Sequence, residues 1–208
     1  MSGLICLQGG AEFGTSCIDM DLEVLARSPA GSVVVIAGAA SPGREHSIAI
    51  RNAARHYSKL TDRDVVGAPD PRSDLDGAMS ALDRAGLVVL PGGSPRRLLD
   101  VLELGIGQRL RELHEAGCSL SGASAGAMVL CSHTMVPGEG MTRGLGLVDG
   151  IAIPHFDGAD WWDLDLPDDV ARWGLPECGG ILVTDESIEP IGSGEAMRLM
   201  DGVASRLL

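Results

Sequence analysis

The chain has 208 residues, of which 45% are hydrophobic and 22% charged, a composition that can bury one substantial core. Its formal net charge of −13 argues against nucleic acid or an anionic membrane as a partner, because both require a positive footprint. Lysine occurs only at Lys59, which follows no Gly-rich turn and so offers neither a phosphate-loop lysine nor a Schiff base; the five His show no zinc spacing. No metal and no cofactor is expected.

In chain order, short β-branched runs alternate with amphipathic stretches, the pattern of a mostly parallel sheet with helices on both faces. Residues 3–8 read as a first strand, since Met1 to Gly10 lacks the basic start and cleavage site of a signal peptide. Five cysteines without a Cys-x-x-Cys pair read as buried reduced thiols, and the expected location is cytoplasmic. Further strands are predicted at 32–37, 63–67, 86–90 and 118–122. Helices are predicted at 15–27, 42–58, 74–84, 95–102 with 106–116, and 125–133. Ser41-Pro42 and Ser94-Pro95 each place a capping hydroxyl before Pro, and Ser73 can cap the third helix. Beyond residue 134, short strands near 151–153, 180–184, 187–191 and 196–200 are expected to complete the same sheet. The expectation is one domain over residues 1–208.

The strongest local signal is Gly122-Ala-Ser124-Ala-Gly126 between a strand and a helix. A Ser on such a turn projects its hydroxyl above the sheet, and its neighbours must be small for the turn to close. The following helix points its N-terminus at the same place, where negative charge can be stabilised. Ser124 fits an acyl-transfer nucleophile; the plain alternative is a structural turn in a Gly-rich chain. A Ser needs an adjacent base. His46, His56 and His114 fall on surface-like helix faces and His133 ends the helix after the elbow, whereas His155 follows a short apolar strand and precedes an irregular loop. Ala125 is placed to give one oxyanion N–H, and the loop Leu90-Pro-Gly-Gly-Ser-Pro95 meets the requirement for the second.

Together with Pro154-His155-Phe156, Gly174-Leu-Pro-Glu177, Leu98-Leu99 and the Gly9-Gly10 turn, these motifs resemble the peptidase E and cyanophycinase serine hydrolases. The resemblance implies a three-layer, open α/β fold like that of class I glutamine amidotransferases, which is flavodoxin-like. It implies Ser124 as nucleophile, His155 as base, and Ala125 with Gly93 as oxyanion donors. Three carboxylates compete to orient the His. Glu177, between a Pro and the apolar run Ile181-Leu-Val183, is expected to be buried and ranks first. Glu139, fifteen residues beyond the Ser in Pro-Gly-Glu-Gly, ranks second. Asp157, two residues after the His, ranks third.

Peptidase E members cleave after an N-terminal Asp, and cyanophycinases cut β-aspartyl-arginine dipeptides. Here Ile153-Pro154 and an Arg-free loop replace the cyanophycinase pattern, and Ser94 replaces the Asn of the peptidase E Gly-Gly-Asn. Arg96 and Arg97 can hold an acidic side chain or simply be solvated. Asp157 to Asp169 carries six Asp, and Trp161, Trp162 and Trp173 lie in or beside it. As a lid it would favour a substrate with a free amine through ion pairing and cation–π contact; as a solvated loop, its Trp residues would cover the core or a second copy in a homodimer. Gly92, Ser94, Asp157 and Trp161 are the substrate-binding candidates. The expected function is hydrolysis of an amide bond in a small peptide-like substrate. A catalytically silent ligand-binding protein and a small esterase are the alternatives, although thirty-one positions from Ser124 to His155 leave an esterase little room for intervening strands.

Overall fold

A computed structural model describes residues 1–158, 169–200 and 203–207. In chain order it contains β1 (Ile5–Gln8), α1 (Ile18–Arg27), β2 (Ser32–Val35), α2 (Arg44–Tyr57), β3 (Val65–Gly67), α3 (Leu75–Ala81) and β4 (Ala85–Leu90). There follow α4 (Pro95–Val101), α5 (Gly107–Glu115), β5 (Ser119–Ala123), α6 (Ala125–Leu130), β6 (Cys131–Val136), β7 (Gly140–Arg143) and β8 (Val148–Ile153). The chain continues through β9 (Arg172–Gly174), β10 (Gly179–Val183), β11 (Ile188–Gly192), β12 (Met197–Met200) and β13 (Val203–Arg206).

The main sheet has the order β11-β10-β1-β5-β4-β2-β3. Its strands β1, β5, β4, β2 and β3 pair in parallel, while β10 joins β1 antiparallel and β11 extends that edge. Side chains alternate between the two faces, as strand geometry requires. Leu4, Cys6, Val33, Val35, Leu87 and Val89 pack on one side with Met20, Val24 and Leu25 of α1 and with Ala53 and Tyr57 of α2. On the other side Ile5, Leu7, Val34, Ile36, Val88 and Leu90 pack with Leu98, Leu110 and Val129 of α4, α5 and α6. Each fully buried aliphatic side chain contributes roughly 1.5–3 kcal/mol, so both layers are held firmly.

The C-terminal strands do not complete this sheet as expected. Only β10 and β11 join it; the others form a second sheet in the order β13-β12-β9-β8-β6-β7. The reason begins at α6, which ends at Leu130 rather than continuing to residue 133. Ser132 and Thr134 turn their hydroxyls to backbone, Ser132 Oγ to Gly150 O at 3.1 Å and Thr134 Oγ1 to Met128 O at 2.8 Å. Such local bonds compete with a helix and favour its end. His133 accordingly lies in β6, paired with Arg143 of β7, and not at a helix terminus.

Ser94 caps α4, its Oγ accepting the Arg97 N–H at 3.3 Å. The break between α4 and α5 falls at Gly105, where φ is +112°. The two other caps differ from expectation. Asp74, not Ser73, caps α3, accepting the Gly77 N–H at 2.9 Å. α2 starts after Gly43 at φ +82°, and Ser41 instead donates its N–H to Glu45 Oε2 at 3.1 Å.

His46 and His56, expected on surface faces, are buried. His56 Nε2 lies 2.7 Å from Asp21 Oδ2, and the Tyr57 hydroxyl donates to Asp21 Oδ1 at 3.2 Å, tying α2 to α1. Burial, reinforced by Asp21, pushes the Tyr57 hydroxyl well above its ordinary range. All five cysteines are free thiols, four of them buried. Among the described residues no helix is long and apolar enough to cross a membrane.

Candidate active site

The carboxyl ends of β1, β5 and β4 and the end of β8 converge on one region, and Ser124 stands at its centre. Its backbone is forced to φ +49°, ψ −110° between β5 and α6, a conformation that L-residues adopt only when the surroundings impose it. Two glycines make this possible. A Cβ on Gly122 would stand 2.4 Å from Gly126 C, and one on Gly126 would stand 2.0 Å from Leu90 O. The Ser124 N–H donates to Gln8 O at 2.9 Å, which ties the turn to β1. α6 has only six residues, so the site depends on individual N–H groups more than on a long helix dipole.

His155 follows β8 at φ +56°. Its N–H donates to Gly9 O at 3.0 Å and the next N–H, of Phe156, to Leu175 O at 2.9 Å. The ring is therefore fixed between the β1 loop and the segment after β9. Ser124 Oγ lies 2.9 Å from His155 Nε2, and His155 Nδ1 lies 2.7 Å from Glu177 Oε1. Hydroxyl, imidazole and carboxylate thus form one continuous chain, the arrangement through which a ring nitrogen can take a hydroxyl proton while a carboxylate orients the ring.

Glu177 departs from expectation in its environment. Its side chain is 55% exposed and that of His155 53%, so neither is buried. The carboxylate is held by position on the rim between β9 and β10 and not by desolvation. Glu139 is exposed and paired with Arg96 at 3.4 Å. Arg96 also pairs with Asp100, and Arg97 donates to Ala39 O, so both arginines have partners within the protein. Asp157 is exposed after the His155 segment.

Near Ser124, the β4–α4 loop brings Gly92 and Gly93. A Cβ on Gly92 would stand 3.2 Å from Ser124 Cβ, and one on Gly93 would stand 2.7 Å from Ala39 O. The Gly92 N–H is already committed, donating to Glu12 Oε1 at 2.8 Å. Ser94 is occupied with capping α4, and its N–H donates to Ala39 O. Ala125 is fully buried directly after Ser124.

Trp161 and Trp162 lie outside the described residues. Trp173 does not belong to a lid. It is 3% exposed on β9, donates Nε1–H to Asp149 O at 2.8 Å and carries the Arg198 guanidinium 5.4 Å over its ring. Its place on a central strand of the second sheet follows from the aromatic β-propensity of Arg-Trp-Gly, which an acidic run upstream obscured. Sequence reasoning also missed Glu12; the one available signal was its position in the loop after the first strand, beside Gly9-Gly10.

Fold and site together define an α/β protein with a Ser on a strand-to-helix turn. The family model for peptidase family S51 matches residues 33–162, well over half of the chain. The chain belongs to that family and is a serine-type peptidase. Among solved structures it is similar to a peptidase from an acI-B1 Actinobacterium, with a TM-score of 0.85 at 22% identity, over 100% of this chain and 94% of that one. It is also similar to a protein of Listeria monocytogenes EGD-e described provisionally as peptidase E, with a TM-score of 0.67 at 15% identity, over 93% of this chain and 100% of that one. No curated protein sequence matches the chain.

Proposed function

We propose that this peptidase hydrolyses an amide bond of a small, peptide-like substrate with a free amino group, acting as a dipeptidase through an acyl-enzyme. The observation that carries the reading is the unbroken chain from Ser124 Oγ to His155 to Glu177, at 2.9 and 2.7 Å. Ser124 Oγ attacks the carbonyl carbon as His155 Nε2 accepts its proton. Glu177 orients the imidazole and stabilises its cation. The N–H groups of Ala125 and Gly93 take the oxyanion, since Ala125 opens α6 next to the nucleophile and Gly93 follows Gly92, whose Cβ would stand 3.2 Å from Ser124 Cβ. Collapse of the tetrahedral adduct breaks the C–N bond, and the imidazolium returns the proton to the departing amine. Water, deprotonated by the same imidazole, then cleaves the ester and restores Ser124.

A fluorophosphonate, which reacts only with an activated hydroxyl, tests the reading. Mass mapping should place the adduct on Ser124, and His155→Ala should lower the labelling rate at least a hundredfold. Labelling elsewhere, or unaltered labelling in that variant, would overturn the assignment.

A further inference from the structure

We infer that Glu12 is the anionic site that receives the substrate's amino-terminal ammonium. The inference rests on Ser124 as the nucleophile and adds the group that selects the substrate. The Glu12 carboxylate and Ser124 Cβ both lie within 3.2 Å of the point that a Gly92 Cβ would occupy. When an N-terminal residue acylates Ser124, its nitrogen stands two bonds, about 2.5 Å, from the reacting carbonyl carbon. A carboxylate beside the nucleophile is therefore within reach of that nitrogen.

Other carboxylates around the cleft are engaged. Glu177 holds His155, Glu139 pairs with Arg96, and Glu45 accepts the Ser41 N–H. Glu12 differs from Glu177 and Glu139 in pairing with no other side chain among the described residues, and from Glu45, which likewise accepts one backbone N–H, in standing beside Ser124. The Gly92 N–H holds one of its oxygens, and among the described residues no Lys or Arg pairs with it. An ionised carboxylate offers about four acceptor positions, so three remain for a ligand. It is partly buried and forms a wall of a cavity of about 280 Å³ whose other sides include Phe13, Glu45, Ile48, Asn52 and Pro91. That cavity runs from Gly92 to α2, has no basic side chain among the described residues that line it, and is large enough for one amino-acid residue; Arg55, His56 and Lys59 line a neighbouring cavity on the other side of Glu12 and Phe13. A cation entering the cavity beside Gly92 meets fixed negative charge in a partly desolvated place, where an N–H⁺···O⁻ bond is strong.

The test is protection of Ser124 from a fluorophosphonate by Asp-Leu, Arg-Leu, Ala-Leu and Leu-Leu, each beside its N-acetyl twin, which lacks the ammonium. In the wild type, at least one free dipeptide should halve the labelling rate at a concentration tenfold or more below that of its twin. Glu12→Gln keeps an acceptor for the Gly92 N–H but removes the charge, and should shrink that ratio to under twofold. Each protein's labelling rate without dipeptide calibrates its own curve. Equal protection by twins in the wild type would overturn the inference, and so would a ratio in Glu12→Gln as large as in the wild type. Failure of Ser124 to label at all would instead bring down the nucleophile on which the inference stands.

Discussion

Gly10 and His155 are packed so closely that a Cβ at position 10 has to displace the imidazole. A Cβ there would stand 2.5 Å from Cε1 and 2.6 Å from Nδ1 of the imidazole, and 2.8 Å from Glu177 Oε2. The loop after β1 is in effect a wall against which the His–Glu pair rests. Gly10→Ala should push the ring away from Ser124. A misplacement of about 1 Å costs on the order of a hundredfold in rate, so the fluorophosphonate labelling rate should fall by about that factor. A change of less than twofold would mean that the ring is not held by this wall.

Glu177 and Glu139 make opposite predictions. Replacing the carboxylate that orients a catalytic imidazole lowers kcat by up to roughly ten-thousandfold in buried triads; with Glu177 55% exposed, the expected loss for Glu177→Gln is on the order of a hundredfold or more. Glu139→Gln breaks only an exposed ion pair with Arg96 and should leave turnover within twofold, since such pairs contribute about 0–1 kcal/mol. Side-by-side measurement of kcat/KM decides between them.

Asp21 joins α1 to α2 through His56 and Tyr57, with its side chain 4% exposed. Asp21→Ala leaves two buried polar groups without their shared acceptor. A buried donor left without its acceptor costs about 1–3 kcal/mol. The urea midpoint should fall accordingly, while the labelling rate of the remaining folded protein stays near that of the wild type, because this cluster does not contact Ser124.

Stability should decline in alkali. Burial pushes the thiols of Cys6 and Cys131 from 9.0 up to about 12, and that of Cys118 up to about 11. Between pH 9 and 11 the unfolded chain loses these protons while the folded chain keeps them, so the unfolded state binds fewer protons and stability falls as pH rises. Each such thiol removes about 1.4 kcal/mol per pH unit in that window. Urea unfolding at pH 8, 9 and 10 measures the slope. Cys131→Ala should make it shallower, and an identical slope in that variant would count against the assignment.

Local pattern in the sequence was enough to outline the parallel sheet, the helices on its two faces, the Ser124 turn and the His155 strand end. Those features depend on near neighbours: apolar alternation, a Pro after a capping Ser, and glycines on either side of a Ser. What depends on distant segments required the tertiary structure. The expected helix extension to residue 133 failed because the hydroxyls of Ser132 and Thr134 are used by backbone at Gly150 and Met128. Trp173 left the lid for the core because its partner strands, β8 and β12, lie far away in sequence. Likewise, Glu177 stands beside His155 on an exposed rim rather than in a buried pocket. Glu12 was invisible for the same reason: a carboxylate eighty positions from Gly92 becomes its hydrogen-bond partner only when β1 and β4 carry their loops to the same end of the sheet. Composition and spacing dictated which chemistry the chain could support, whereas strand order dictated which charged groups face it, because that order alone sets distances between residues remote in sequence.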